Sequence, residues 1–139
     1  MKLTKRHKAY FKAAKAISEL SDIKQKIGCV VVYKHRIISS GYNHSKTCPL
    51  QKQYNKYRFN VEESILHSVH AETDALLPLL KRKDIDFSHV SIYLYRQYKN
   101  GDLAPSRPCE SCLALMRSLG VRHLYFTGNN KYFYEEIKY

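Results

Sequence analysis

Apolar and polar residues follow helical spacing at three places along the chain. Residues 4–20 carry apolar side chains at this spacing with basic side chains between them, which predicts a basic amphipathic helix. Such a face is more often solvated than docked on a partner. The pattern also predicts a helix over residues 65–80, which Pro78 shortens or kinks. A short third helix is predicted from Cys109 to Leu119, closed by Gly120.

The segment between the first two helices carries a hairpin pattern. Ile27–Tyr33 is a β-branched, apolar run, which is typical of a strand buried on both faces. Lys34-His35-Arg36 predicts the turn, and Ile37–Tyr42 returns as the partner strand. Residues 43–60 are polar and predict a long loop, which in a small domain is usually functional or mobile.

Further strands are predicted at Val90–Tyr95 and Val121–Phe126. After Phe126 the chain is too short for a parallel crossover. Tyr132–Tyr134 is therefore predicted to turn back at Gly128-Asn129-Asn130 as an antiparallel edge strand. The order helix, hairpin, helix, strand, helix, strand predicts an α/β fold in which helices cover both faces of a mixed sheet.

Length and composition predict one globular domain over residues 1–139, since no repeat or linker divides the chain. No run approaches the roughly 18 apolar residues of a membrane span. The basic start, Met1 to Lys8, is not followed by an apolar signal-peptide core. The expectation is therefore a cytoplasmic protein.

The formal net charge is +12, from 24 Lys and Arg against 12 Asp and Glu. Such a surface attracts polyanions or phosphorylated ligands, or it only keeps the protein soluble. The 12 tyrosines are partly interleaved with basic residues, which suits single-stranded nucleic acid. Tyrosine is also common on strands, so charge and composition leave the substrate open.

Cys109 and Cys112 form a Cys-x-x-Cys pair at a predicted helix start, so their sulfur atoms face the same way. A helix N-terminus lowers the pKa of a thiol and favours the thiolates that a metal needs. His70 adds a neutral third ligand from the opening of another helix. Three protein ligands leave the fourth position of tetrahedral zinc open, which is typical of a catalytic site with one Zn²⁺ per chain.

Glu72 is the candidate catalytic residue, as carrier of protons between water and substrate. Residues i and i+2 do not share a helix face, so His70 and Glu72 can meet only at an irregular helix entrance. Alone, Cys-x-x-Cys is also compatible with redox chemistry or structural zinc. A redox pair needs neither His70 nor Glu72, and structural zinc needs a fourth ligand.

His70-Ala71-Glu72 and Pro108-Cys109-Glu110-Ser111-Cys112 together match a known signature of zinc nucleobase deaminases. The chain resembles the cytidine and deoxycytidylate deaminase superfamily from about Ile27 to Phe126. The resemblance implies a cytidine-deaminase-like, three-layer α/β/α fold with a five-stranded mixed sheet flanked by helices. It also implies a homo-oligomer.

The resemblance further implies substrate contacts. Asn43 would contact the sugar hydroxyl or the base, and the backbone at Ala71 and Pro108 would contact the base edge. Tyr125 ends a strand near the site in such folds, where its ring would either stack on a base or pack in the core.

Two positions depart from the deoxycytidylate deaminase pattern. His44 and Arg107 stand where a glycine and a serine are usual, and both place donors near an expected substrate phosphate. A second metal site built from Cys29, Cys48, His44 and His67 is an alternative. Against it, a free cysteine such as Cys29 inside an apolar strand is ordinary.

The sequence thus predicts hydrolytic deamination of a cytosine nucleoside or nucleotide to the uracil form, with release of ammonia. One alternative is deamination of cytosine or adenine within single-stranded DNA or RNA. Another is a non-catalytic, zinc-containing nucleic-acid-binding module. The presence of Glu72 opposes this last interpretation, because only turnover needs that carboxyl group.

Overall fold

The computed structural model describes residues 2–45 and 69–138. Within these two ranges no helix is both long and apolar enough to cross a bilayer. The helices and strands follow one another as α1 (Lys5–Ser18), β1 (Ile27–Tyr33), β2 (Arg36–Tyr42), α2 (Ala71–Leu76), β3 (Ser91–Arg96), α3 (Glu110–Leu119), β4 (His123–Gly128) and β5 (Lys131–Glu136). Short 3₁₀ turns occur at Leu77–Leu79 and Phe87–His89.

The strands form one mixed sheet of five strands in the order β2-β1-β3-β4-β5. β1 pairs antiparallel with both β2 and β3, β3 pairs parallel with β4, and β5 returns antiparallel to β4. The predicted mixed sheet, with its antiparallel edge strand after β4, is therefore confirmed. β1 lies between two strands and its middle residues are buried, because an apolar run can face a helix layer on both sides.

The turn between β1 and β2 consists of Lys34 and His35, and Arg36 already belongs to β2. Both turn residues have positive φ, at 52° and 65°. Two consecutive left-handed residues match the right-handed twist of the flanking strands. The tight hairpin holds these two basic side chains at one end of the sheet.

Helix α1 covers one face of the sheet. Phe11 and Ala14 pack on Val30 and Val32 of β1 and on two tyrosines of β3. The helix lies so close that a Cβ atom on Gly28 would collide with the Ala14 carbonyl oxygen. α1 therefore needs a glycine at this crossing.

Helices α2 and α3 cover the other face and enclose the larger core. Leu113 and Met116 of α3 are buried with Val31, Ile92 and Leu124 of the sheet. Helix α2 crosses β2 at Gly41, where a Cβ atom would lie 2.6 Å from the Ala71 carbonyl oxygen. These contacts complete the three layers and fix the entrances of both helices at the same edge of the sheet.

The second helix is shorter than its predicted range of 65–80. It begins at Ala71, because Val69 is still extended and exchanges two backbone hydrogen bonds with His44, at 2.9 and 3.0 Å. After Leu76 the chain tightens into a 3₁₀ turn that contains Pro78, so this residue does end the α-helix. Residues 65–68 and most of the predicted loop 43–60 lie outside the described residues.

Candidate active site

His70 is the residue that immediately precedes α2. Its backbone is extended, with φ −82° and ψ 154°, while its carbonyl oxygen accepts the Asp74 N–H. The backbone pairing of Val69 with His44 ties this segment to the end of β2. Because His70 stands outside the helix, its ring and the Glu72 side chain reach the same region although they are two residues apart.

Cys109 and Cys112 occupy the entrance of α3. Cys109 is the N-cap with extended backbone, and Cys112 lies in the first turn. Nδ1 of His70 lies 3.3 Å from Sγ of Cys112 and 3.5 Å from Sγ of Cys109. The structure thus brings His70 together with two cysteines that lie about 40 residues later in the sequence.

The three donors fit zinc. One nitrogen and two sulfurs are a usual zinc ligand set, and all three atoms lie within 4.8 Å of one another. With Zn–S of about 2.3 Å and Zn–N of about 2.0–2.1 Å, tetrahedral geometry gives N···S separations of about 3.6 Å. The two N···S separations in the structure, 3.3 and 3.5 Å, are close to this value, so His70, Cys109 and Cys112 are placed to hold zinc.

The two thiols interact with each other. The hydrogen bond from Cys112 lowers the pKa of Cys109 to about 3, so Cys109 is a thiolate at neutral pH. The same hydrogen bond, with burial, raises the pKa of Cys112. The pair therefore retains one proton, and a divalent cation between the sulfur atoms would displace it.

Glu72 is 5% exposed and lies against this cluster. Burial raises the pKa of its carboxyl group, while the nearby His70 and a hydrogen bond with Cys112 oppose that rise. A buried acid with a raised pKa exchanges protons near neutral pH more readily than an exposed glutamate. Its place beside the three donors suits proton transfer to and from a substrate, which needs access to this point.

A pocket of about 440 Å³ opens onto the cluster and provides this access. His70, Ala71, Glu72 and Cys109 form part of its wall. The segment between α1 and β1 also lines the pocket, with Ile23, Lys24 and Gln25, and so does Ile27 at the start of β1. This contribution was not foreseen from the sequence.

Asn43 also lines the pocket, but its side-chain amide already has partners. Oδ1 accepts the Ile27 N–H at 2.9 Å, and Nδ2 donates to the Gln25 carbonyl oxygen at 2.6 Å. Asn43 therefore joins the end of β2 to the start of β1 and holds the pocket wall in place. The sequence signal for this role was the position of an asparagine directly after a strand.

Arg107 and Ser106 line the pocket on the side of α3. The Arg107 guanidinium makes a two-pronged ion pair with Glu135 of β5, at 3.1 and 3.0 Å. Ser106 is buried and exchanges hydrogen bonds with Thr127. Pro108, which in sequence precedes the candidate metal ligand Cys109, is buried. The pair with Glu135 joins residues distant in sequence, so no local pattern indicated it.

Two residues expected near the substrate lie elsewhere. Nε2 of His44 is 3.1 Å from a carboxylate oxygen of Asp74, and the ring lines a separate depression with Tyr42. Tyr125 lies on the α1 face of the sheet, stacked on Tyr93 at 4.4 Å between ring centroids. The three donors of His70, Cys109 and Cys112 lie at the entrances of α2 and α3, which cover the opposite face of the sheet. The structure therefore brings neither side chain to this pocket.

Two residues of the alternative second metal site, Cys48 and His67, lie outside the described residues. Cys29 is buried within β1, and burial raises the pKa of its thiol. In the described part of the chain, His70, Cys109 and Cys112 are the one cluster of three metal-binding donors.

Comparison with known proteins gives a family match over most of the chain. The family described as the cytidine and deoxycytidylate deaminase zinc-binding region matches residues 4–128. A comparison with curated protein sequences gives no match.

Solved structures share the fold. The dCMP deaminase from the cyanophage S-TIM5, in apo form, is 25% identical with a TM-score of 0.62, covering 91% of this chain and 84% of that chain. The same enzyme in complex with dCMP and dUMP gives 22% identity and a TM-score of 0.61, with coverage of 91% and 83%. The cytidine deaminase from Burkholderia pseudomallei is 20% identical with a TM-score of 0.65, covering 97% and 94%.

The family match spans both motif segments and strands β1 to β4 of the sheet. The structure independently places the three donors of those motifs around one point with zinc-like spacing. Sequence match, fold and site geometry agree, and the chain belongs to the cytidine and deoxycytidylate deaminase family.

Proposed function

We propose that this chain is a zinc-dependent hydrolase that deaminates the cytosine of a nucleoside or nucleotide, giving the uracil form and ammonia. The observation that carries the proposal is the buried carboxyl group of Glu72 beside a three-donor zinc site in one pocket. Burying an ionisable group opposes folding, so a site that only held the structure together would gain nothing from it.

The residues of the site divide the chemistry among them. Zinc held by His70, Cys109 and Cys112 would act as a Lewis acid and lower the pKa of a water at its open position. Glu72 accepts a proton as the water oxygen adds to C4 of the cytosine ring. It delivers that proton to the ring nitrogen, and the second proton then passes from the new C4 hydroxyl through Glu72 to the exocyclic amine. The bond between C4 and this amine breaks, the oxygen stays on C4 as the carbonyl of the uracil form, and ammonia leaves, so one water is consumed for each ammonia released.

The pocket supports a substrate of nucleotide size. Asn43 contacts the sugar hydroxyl or the base, and the backbone of Ala71 and Pro108 contacts the base edge. Arg107 and the exposed Lys24 lie at the pocket and are the candidates for a phosphate contact. The cyanophage dCMP deaminase, which is known in complex with dCMP and dUMP, supports a nucleotide substrate by analogy.

The direct test is to incubate the zinc-loaded protein with cytidine, deoxycytidine, their 5′-monophosphates and a single-stranded cytosine oligonucleotide. Replacement of the amine by oxygen is followed by mass spectrometry. We expect turnover of at least one free nucleoside or nucleotide, and no turnover by a matched Glu72→Gln preparation. If the wild-type protein with full zinc content converts none of the free compounds, the proposal is wrong. Conversion of the oligonucleotide alone would favour the polynucleotide alternative.

Three further expectations stay predictions. They are the homo-oligomer, the cytoplasmic location and the single domain over residues 1–139. Light scattering of the purified chain tests the first, localisation of a tagged chain in its own cell tests the second, and limited proteolysis tests the third.

A further inference from the structure

A second pocket, of about 520 Å³, lies at the other end of the sheet. It is bounded by the first turns of α1, the β1–β2 hairpin and the starts of β3 and β4. Val32 lines it, whereas Ile27 lines the pocket beside His70 and Cys109, which we call the zinc pocket. These two residues of β1 are roughly 17 Å apart at about 3.3 Å per residue. The second pocket is therefore separate from the proposed active site.

Aromatic rings form one wall of this second pocket. The Tyr125 ring is stacked on Tyr93, and the His7 ring lies over Tyr125 at 5.0 Å between centroids. Tyr10 approaches Tyr93 at 5.1 Å and is fixed by a hydrogen bond from its hydroxyl to the His35 carbonyl oxygen. Tyr93 and Tyr125 are parallel, whereas His7 and Tyr10 are tilted by 40° and 56° against them, so together the rings form an apolar wall against which a planar ligand can pack.

Basic side chains form the rim. Arg6 and Lys34 are exposed at the pocket, and the Arg6 guanidinium lies 3.2 Å from Nδ1 of His35. Lys34 is held by its left-handed backbone in the hairpin turn, with Nζ 5.3 Å from the centre of the Tyr33 ring. Among the described residues that line the pocket there is no acidic side chain, and the first turn of α1 has none. The rim therefore presents positive charge to a ligand.

We propose that this second pocket binds a nucleotide unit, with its base against the aromatic wall and its phosphate between Arg6 and Lys34. Aromatic rings beside exposed cations are the chemistry that recognises a base joined to a phosphate. Asp84 interacts electrostatically with Lys34 but does not line the pocket, so Arg6 and Lys34 still give its rim a positive charge. The volume lies within the usual range for small-ligand pockets. A free nucleotide and one nucleotide of a strand share this chemistry.

The experiment uses the zinc-loaded full chain and three probes: thymidine 5′-monophosphate, octathymidylate and inorganic phosphate. Thymine carries no exocyclic amine, so the proposed reaction cannot consume the probes, and failure of the proposed function leaves this test intact. Binding is measured by calorimetry at low salt for the wild type and for Arg6→Gln/Lys34→Gln. The matched control is Lys99→Gln/Lys131→Gln, which makes the same charge change at exposed positions away from both pockets.

We expect the wild type and the control to bind a thymidylate probe equally, and Arg6→Gln/Lys34→Gln to bind it at least about tenfold more weakly, because two charge-assisted contacts are lost. Binding of the monophosphate identifies a free nucleotide as sufficient, and binding of octathymidylate without the monophosphate identifies a strand. The proposal is overturned if neither thymidine 5′-monophosphate nor octathymidylate binds to the wild type. It is also overturned if Arg6→Gln/Lys34→Gln binds as tightly as the control double variant. Inorganic phosphate binding as tightly as the monophosphate also overturns it, because the rings would then contribute nothing.

Discussion

The carboxyl group of Glu72 is buried beside the thiol of Cys112, where burial raises its pKa. We expect Glu72→Gln to keep the fold and the zinc, because the amide has nearly the same shape and Glu72 is not among the three donors. Turnover should fall by at least the ~10²–10⁴-fold typical of general acid–base catalysis, since one group serves several proton transfers. The measurement is kcat on the best cytosine substrate, with zinc content determined on the same sample. Normal kcat with zinc present would place the proton carrier elsewhere.

The three donors act as a set, so removing one should release the metal. Zinc content should fall from about one per chain to near zero in Cys109→Ala, because two remaining ligands hold Zn²⁺ weakly. Elemental analysis after dialysis against a mild chelator measures this loss. Cys29→Ala is the matched control, since Cys29 is a buried cysteine of β1 outside the cluster. Full zinc in Cys109→Ala, or equal loss in the control, would contradict the assigned ligand set.

At the scale of elements, Asp74 links α2 to β2. One carboxylate oxygen accepts the Tyr42 N–H at 3.1 Å, and the other lies 3.1 Å from Nε2 of His44. His44 in turn pairs its backbone with Val69, the residue before the proposed metal ligand His70. The carboxylate of Asp74 therefore supports the extended segment that places the His70 ring beside Cys109 and Cys112.

Asp74→Ala should weaken zinc binding, because the approach to His70 loses its tie to β2. Groups that orient a metal ligand commonly change metal affinity about 10–100-fold, and we expect the lower part of that range here. Competition with a coloured chelator gives the dissociation constant. Asp74→Asn keeps one acceptor oxygen and should lie closer to wild type. Unchanged zinc affinity in both variants would show that the position of His70 does not depend on the Asp74 carboxylate.

For the molecule as a whole, the net charge of +12 favours a polyanionic strand as substrate, whereas the residues of the zinc pocket favour a single nucleotide. Of the described cations at that pocket, Arg107 is already paired with Glu135, and Lys24 is exposed. This arrangement supports binding of one phosphate rather than of several successive phosphates of a strand. The basic helix α1 lies over the opposite face of the sheet.

Salt dependence therefore separates the two substrate classes. A strand that contacts several cations should lose affinity steeply, with a log–log slope of about −0.7 per phosphate. We expect KM for a free cytosine nucleotide to rise only slightly over the same salt range. Steeply salt-sensitive deamination of an oligonucleotide, with free nucleotides untouched, would reverse this prediction.

Local patterns were sufficient for most elements of the fold. The apolar run of β1 predicted a strand buried on both sides, and the short chain after β4 predicted an antiparallel edge strand; both are present. The predicted helix over residues 65–80 included Val69 and His70, which are extended, so that α2 begins only at Ala71. The pairing of Val69 with His44 holds this segment extended, and it is a contact between residues remote in sequence.

The sequence by itself determined which nitrogen, sulfur and carboxylate groups stand at the two helix entrances, because the motif spacings place His70, Glu72, Cys109 and Cys112 there. Tertiary structure decided what surrounds them. The zinc pocket gains a wall from the segment before β1, and Arg107 is held by Glu135 of β5. Tyr125 faces α1 rather than the three-donor cluster, because side chains alternate along β4 and the register with β3 sets which face each one takes. Such placements depend on pairing between distant segments, which no local pattern specifies.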